Sequence, residues 1–119
     1  EEPFALTLAG ISIQGRIDAV FKDANGTYTV IDWKTSHLPG KNTPLSTWEY
    51  YARQLQLYRI AWAQRESLSP SEVQARVCFL RGPISYSVED IVTQTGVPVD
   101  QLESQLTQAL TALQKKNPS

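Results

Sequence analysis

The feature that most constrains this chain is a turn. The stretch "ANG", residues 24–26, separates two strand-like runs, "GRIDAVFKD" (15–23) and "TYTVIDWK" (27–34). An Asn-Gly pair between such runs predicts a β-hairpin. A three-residue loop of Ala24, Asn25 and Gly26, with Gly26 left-handed, pairs Asp23 with Thr27 and makes partner numbers sum to fifty. Val20 then faces Val30, Asp18 faces Asp32 and Arg16 faces Lys34. Directly opposed residues point to the same side of a sheet. One face therefore runs Tyr28, Val20, Val30 and then Asp18, Asp32, Arg16, Lys34. The other, Ile17, Ala19, Phe21, Ile31 and Trp33, is apolar throughout. A two-residue Asn-Gly loop is the alternative register; it sets Asp18 against Trp33 and separates the two acids.

In the first register two carboxylates stand about 5 Å apart and repel by roughly 3 kcal/mol at an effective dielectric near 20. Sharing a proton or binding a cation relieves this. Hard divalent ions such as Mg²⁺ prefer carboxylate oxygens. Lys34, two residues beyond Asp32 on a strand, points at the same spot. Two acids and a lysine around a metal suit phosphodiester cleavage, because the metal neutralises phosphate and acidifies water while the lysine stabilises developing charge or helps position that water. The competing reading is a solvated strand end, against which the opposed Asp18 argues.

Before the hairpin, "FALTLAGISIQG" (4–15) reads as a strand with a turn or bulge at Gly10. After it, "HLPGKNTPL" (37–45) reads as an exposed loop. Helical spacing follows: Trp48, Tyr51, Leu55, Tyr58 and Trp62 fall on one face of a helix from Ser46 to about Glu66, with Ser46 or Thr47 as N-cap and "SLSPS" as its end. "EVQARVCFLRG" (72–82) and "ISYSVED" (84–90) read as strands. "VPVDQLESQLTQALTALQKK" (97–116) reads as a last helix with Leu102, Leu106, Ala109, Leu110 and Leu113 on one face. The order β-β-β-α-β-(β)-α predicts a mixed α/β domain that begins with an antiparallel meander.

A chain of 119 residues supports one core but not comfortably two. A net charge of −1 announces no polyanion partner, so a nucleic-acid site has to be a local patch. The single cysteine, Cys78, excludes an internal disulfide and a cysteine-held zinc or iron–sulfur site within this chain, and it fits a reducing cytoplasm. Cys78 itself reads as core. No apolar run reaches a membrane span and no signal peptide opens the chain. Its start, already inside a strand and without Met, reads as a fragment of something longer.

"GRIDAVF", "YTVIDWKTS" and "YARQLQLYRIAW" together resemble the RecB-type nuclease domain of the PD-(D/E)XK superfamily, found at the C-terminus of UvrD/RecB/AddA-like bacterial helicase–nucleases. The resemblance covers residues 4 to about 81. It implies a restriction-endonuclease-like core, a central mixed sheet with helices, as one nuclease-type domain over residues 1–119 that lacks its upstream helix. It implies Asp18 and Asp32 as ligands of Mg²⁺ or Mn²⁺, with the Trp33 backbone carbonyl as a further ligand, and Lys34 as the catalytic lysine. Gln54 and Tyr58 match a Gln-x-x-x-Tyr motif that borders the site and the DNA. The implied activity is metal-dependent DNA phosphodiester hydrolysis within an ATP-dependent helicase–nuclease of DNA repair or recombination. Its partners are DNA and the helicase domains of the same polypeptide, with no membrane, in a cytoplasmic, nucleoid-associated setting.

The family's additional ligand, a His or Glu from an upstream helix, has no counterpart unless Glu1 or Glu2 supplies it, so the isolated chain is expected to bind metal and cut weakly. The iron–sulfur cluster of some relatives is excluded, and ATP binding belongs to other domains, since no phosphate-binding Gly-x-x-x-x-Gly-Lys-Ser/Thr loop occurs. Arg16 and Lys41 are candidates for the DNA backbone, and His37 reads as a surface loop residue. The alternatives are a catalytically inactive DNA-binding or scaffolding domain of the same fold, and an unrelated α/β interaction module.

Overall fold

The structure, a computed structural model, describes residues 2–8, 10–36, 38–40, 42–82 and 84–96, with Gln101 and Gln108. Residues 4–15, expected as one strand with a turn or bulge, form most of a hairpin of two strands, β1 (Glu2–Leu8) and β2 (Ile11–Ile17). Gly10 makes the tight reversal possible with φ +77°, a conformation that costs glycine little. The pairing runs from Leu8 opposite Ile11 to Glu2 opposite Ile17. Phe4, Leu6 and Ile17 are buried on its inner side. Gly15 stands opposite Phe4, and a Cβ there would come within 2.8 Å of the phenyl ring.

The second sheet has the order β3 (Ala19–Lys22), β4 (Tyr28–Lys34), β5 (Val73–Phe79), β6 (Ile84–Ser87). The β3–β4 hairpin has the three-residue loop: Gly26 has φ +83°, and the Asp23 amide donates to the Thr27 carbonyl at 3.0 Å. Asp23 Oδ1 fixes the loop further by accepting from the Asn25 and Thr27 amides, both at 2.9 Å. Partners sum to fifty from Lys22–Tyr28 to Ala19–Ile31. There the ladder stops. The single strand expected over 15–23 is broken at Asp18, and Arg16 lies opposite Pro3 in the first hairpin instead of opposite Lys34.

Strands β4 and β5 are parallel, which requires a crossover. Helix α1 (Leu45–Glu66) supplies it. The helix starts one or two residues before the expected Ser46 or Thr47 cap: Pro44 occupies the N-cap position at φ −58°, and no side chain caps the first turn. Its end is closed by Ser67 at φ +58°, with the Leu68 amide donating to the Ala63 carbonyl at 2.8 Å. Val73, Ala75, Val77 and Phe79 of β5 alternate inward onto α1, and Val30 joins them from β4. "ISYSVED" divides after Ser87. The Ser87 hydroxyl accepts from the Asp90 amide and Asp90 returns the bond, so residues from Val88 on form α2 (Val88–Thr95). The last helix expected over 97–116 lies outside the described residues, except that Gln101 and Gln108 are helical.

Helix α1 covers the sheet face that carries Tyr28, Val30 and Asp32; the Tyr28 and Trp62 rings meet edge-on at 5.6 Å. On the other face Ile31 is buried, but Phe21 is 57% exposed and Trp33 is 41% exposed. The polar-ended face, not the uniformly apolar one, packs against the helix. Cys78 points to that other side and is half-buried rather than core. Where α1 meets α2, the buried Arg59 holds Glu89 Oε1 at 2.8 Å. Burial of Glu89 raises its pKa, but the Arg59 hydrogen bond and charge outweigh this, so the carboxyl titrates below its ordinary value.

Candidate active site

Three local facts assemble the site. Alternation along β4 aims Asp32 and Lys34 to the same side as the core residue Val30. The end of β3 at Ala19 leaves the Trp33 amide without a strand partner on that side. Asp18 fills the gap with its side chain, Oδ2 accepting from the Trp33 N–H at 2.8 Å. A carboxylate thus replaces a ladder bond, and this holds Asp18 beside Asp32.

Asp32 is 5% exposed. Burial raises its pKa, Lys34 pulls it down, and Asp18 pushes it up again; the net direction is upward. The Lys34 ammonium lies 3.0 Å from Asp32 Oδ2. Among the described residues that buried oxygen has no donor other than this ammonium. Lys34 Nζ donates to Gln54 Oε1 at 3.0 Å, and Gln54 Nε2 donates to the Tyr58 hydroxyl at 3.1 Å. Burial lowers the Lys34 pKa, but Asp32 outweighs it and the lysine titrates above its ordinary value. Burial and then the Asp32 charge raise Tyr58. The Tyr58 ring is braced by Phe4, edge-on at 5.7 Å, which is the ring the missing side chain of Gly15 leaves room for.

Asp18, Asp32, Lys34, Gln54 and Tyr58 are therefore neighbours. Arg16 lies in β2 opposite Pro3, outside the β3–β4 ladder. Trp33 contributes its backbone, while its indole faces the opposite side of the sheet. Glu2, one of two candidates for the upstream ligand, reaches Arg65 at 3.4 Å. Glu1, His37 and Lys41 lie outside the described residues. Two neighbours were missed as site residues. The Tyr51 and Tyr50 rings lie 5.5 and 5.9 Å from Lys34 Nζ. Helical spacing carried the signal, since Tyr50 precedes Gln54 by four residues and shares its face.

The donor set fits a hard cation. Asp32 presents a buried carboxylate whose one neighbouring cation among the described residues is Lys34, and Asp18 stands beside it. Among the described residues no cluster of three His, Cys, Asp or Glu side chains forms. Two carboxylates, with the remaining positions left to backbone and water, are what Mg²⁺ accepts and what softer ions do not favour.

A family model for the PD-(D/E)XK nuclease superfamily matches residues 1–117. The chain belongs to this superfamily. The mixed sheet with its β4–α1–β5 crossover is accordingly a restriction-endonuclease-like fold. Superfamily membership implies nuclease-type phosphodiester hydrolysis with DNA as substrate, and PD-(D/E)XK nucleases generally use divalent metals such as Mg²⁺. No match was found among curated proteins or among solved structures. Among the described residues no helix is long and apolar enough to cross a membrane.

Proposed function

We propose that this PD-(D/E)XK chain is a Mg²⁺- or Mn²⁺-dependent deoxyribonuclease domain in which Asp18 and Asp32 hold the metal, with the Trp33 carbonyl as a further ligand, and Lys34 is the catalytic cation. The observation that carries this reading is the buried Asp32 carboxylate, with the Lys34 ammonium 3.0 Å from its Oδ2 and a second acid, Asp18, beside it. When bound, a divalent ion would supply positive charge at the scissile phosphate and acidify the attacking water. The chain's own residues do the rest. Asp18, tied to the Trp33 amide by one oxygen, has its other oxygen to offer. Lys34, which titrates above its ordinary value in the metal-free site because Asp32 is beside it, would serve as a charge stabiliser at the phosphate. Gln54 and Tyr58 position it, because a lysine held at its Nζ loses the rotamer freedom that would otherwise blur the site. As water oxygen bonds to phosphorus, the ester P–O bond breaks and the leaving oxygen takes a proton.

The setting we propose is RecB-like: a module joined to ATP-driven helicase domains and acting in DNA repair or recombination in the bacterial cytoplasm. Its support is the ordered set Gly15-x-Ile17-Asp18, Asp32-x-Lys34-Thr35 and Gln54-x-x-x-Tyr58. A second reading, a DNA-binding or scaffolding domain without activity, is favoured by one observation. Glu2 is engaged with Arg65, and no third acidic or histidine side chain joins Asp18 and Asp32 among the described residues. Assays on linear single- and double-stranded DNA with Mg²⁺ or Mn²⁺, beside Asp32→Ala and Lys34→Ala, separate the two. Metal-dependent cutting that both substitutions abolish supports the first; cutting that survives both defeats it.

A further inference from the structure

Tyr50 is the large aromatic side chain that the site leaves uncovered. The residue is 53% exposed, although it stands on helix α1 one turn before Gln54. Its centroid lies 5.9 Å from Lys34 Nζ. Behind it the Tyr51 ring meets it edge-on at 6.1 Å, and Tyr51 is in turn held by Phe79 at 5.7 Å and Trp48 at 6.4 Å. Tyr50 is thus a flat apolar surface backed by the core and turned to solvent. It stands beside the cation that the proposed mechanism sets at a phosphate. Next to it, Tyr51 also borders a depression of about 550 Å³ between the loop that follows β4 and the first turns of α1, whose polar lining includes Ser36, Asn42, Thr43 and Thr47.

We infer that Tyr50 is a stacking platform for an unpaired nucleobase of the bound strand, with the adjoining depression taking the neighbouring nucleotide. This rests on the nuclease reading for the placement of a phosphate at Lys34. A base within a duplex has both faces covered by its neighbours, so only an unpaired, terminal or extruded base can offer one to a protein ring. Stacking tolerates any base, since each has a π-face. The amide and hydroxyl groups of the depression can bond sugar or base edges without demanding one sequence. The subsite therefore selects strand state, not sequence.

The test uses the full chain with EDTA, so that binding is read without cleavage. The probes are a single-stranded oligonucleotide carrying one 2-aminopurine and the same sequence as a blunt duplex. Tyr50→Ala is expected to weaken single-strand binding about 5- to 150-fold. It should also remove the fluorescence quenching on binding and leave duplex affinity within about twofold. Tyr50→Phe and Tyr50→Trp should retain both binding and quenching, because the hydroxyl takes no part. Unchanged single-strand affinity in Tyr50→Ala overturns the inference, as does an equal loss in Tyr50→Phe or a wild type that does not bind single strands. Cleavage with Mg²⁺ is scored separately. A wild type that stacks the base but never cuts overturns the proposed activity alone. One that cuts, with kcat/KM on single strands unmoved by Tyr50→Ala, overturns the stacking alone.

Discussion

Two cation–carboxylate pairs flank helix α1, Lys34 with Asp32 and Arg59 with Glu89, at 3.0 and 2.8 Å. They look alike as distances and differ as chemistry. In the Arg59 pair the carboxylate keeps its solvent, with the Glu89 side chain 62% exposed, and the attraction lowers its pKa. In the Lys34 pair the carboxylate is the buried member, a second acid stands beside it, and the pKa rises despite the ammonium. A pair that serves the fold relieves its charge; this one leaves charge unrelieved. That residual charge is what a further cation would find.

The largest expected effect breaks the comparison at the site. Lys34→Ala should lower cleavage by about 10²–10³-fold, the usual cost of one group that stabilises transition-state charge, whereas Glu89→Gln should leave kcat unchanged; parallel steady-state assays decide it. Next comes the metal. Mg²⁺ at about 100 times its Kd should stabilise the wild type by about 2.7 kcal/mol and Asp32→Asn hardly at all, read as a shift in Tm with no DNA present.

Smaller effects sharpen the contrast by sign. Glu89→Gln leaves Arg59 buried without its counter-charge and should cost about 1–3 kcal/mol in denaturant unfolding. Asp32→Asn removes a carboxylate that its surroundings disfavour and should raise stability by about 0.5–2 kcal/mol in the absence of metal. The two differences should also titrate. Glu89, depressed from an ordinary 4.5, contributes stability above that value and loses it as pH falls through the folded-state pKa. Asp32, raised from 3.8, works the other way: metal-free wild type gains stability as pH falls through the raised value, and the advantage of Asp32→Asn disappears. Thermal unfolding of the three proteins from neutral pH to pH 3 follows both trends, and parallel curves at every pH would show that neither carboxylate is coupled as described.

What the sequence made legible was local. The Asn-Gly loop and strand alternation fix the β3–β4 register and set Asp32 and Lys34 on one face, because both depend on neighbours a few residues away. The three-and-four spacing located α1 and set Gln54 one turn from Tyr58. The break at Asp18 was not legible, since it arises from β1, which takes Arg16 opposite Pro3 and ends the ladder with β4. The helix start was misplaced because Pro44 has a fixed φ suited to the position, while Ser46 and Thr47 offered only a side-chain oxygen. Helix α2 was hidden in "ISYSVED", where Ile84 and Tyr86 read as strand and the Ser87–Asp90 box two turns short of a glycine went unread. Tyr50 and Tyr51 were legible only as a stripe; whether a tyrosine on a helix meets core or a lysine is settled by the strand opposite.

Asp18 stands in for a strand residue, and this has an evolutionary consequence. Asparagine at this position offers the same carbonyl oxygen to the Trp33 amide, so Asp18→Asn keeps the sheet edge closed while withdrawing the negative charge. If Asp18 holds the metal as proposed, a lineage can silence this domain in one step without loosening its fold, because the substitution withdraws the metal's ligand and leaves the strand edge closed.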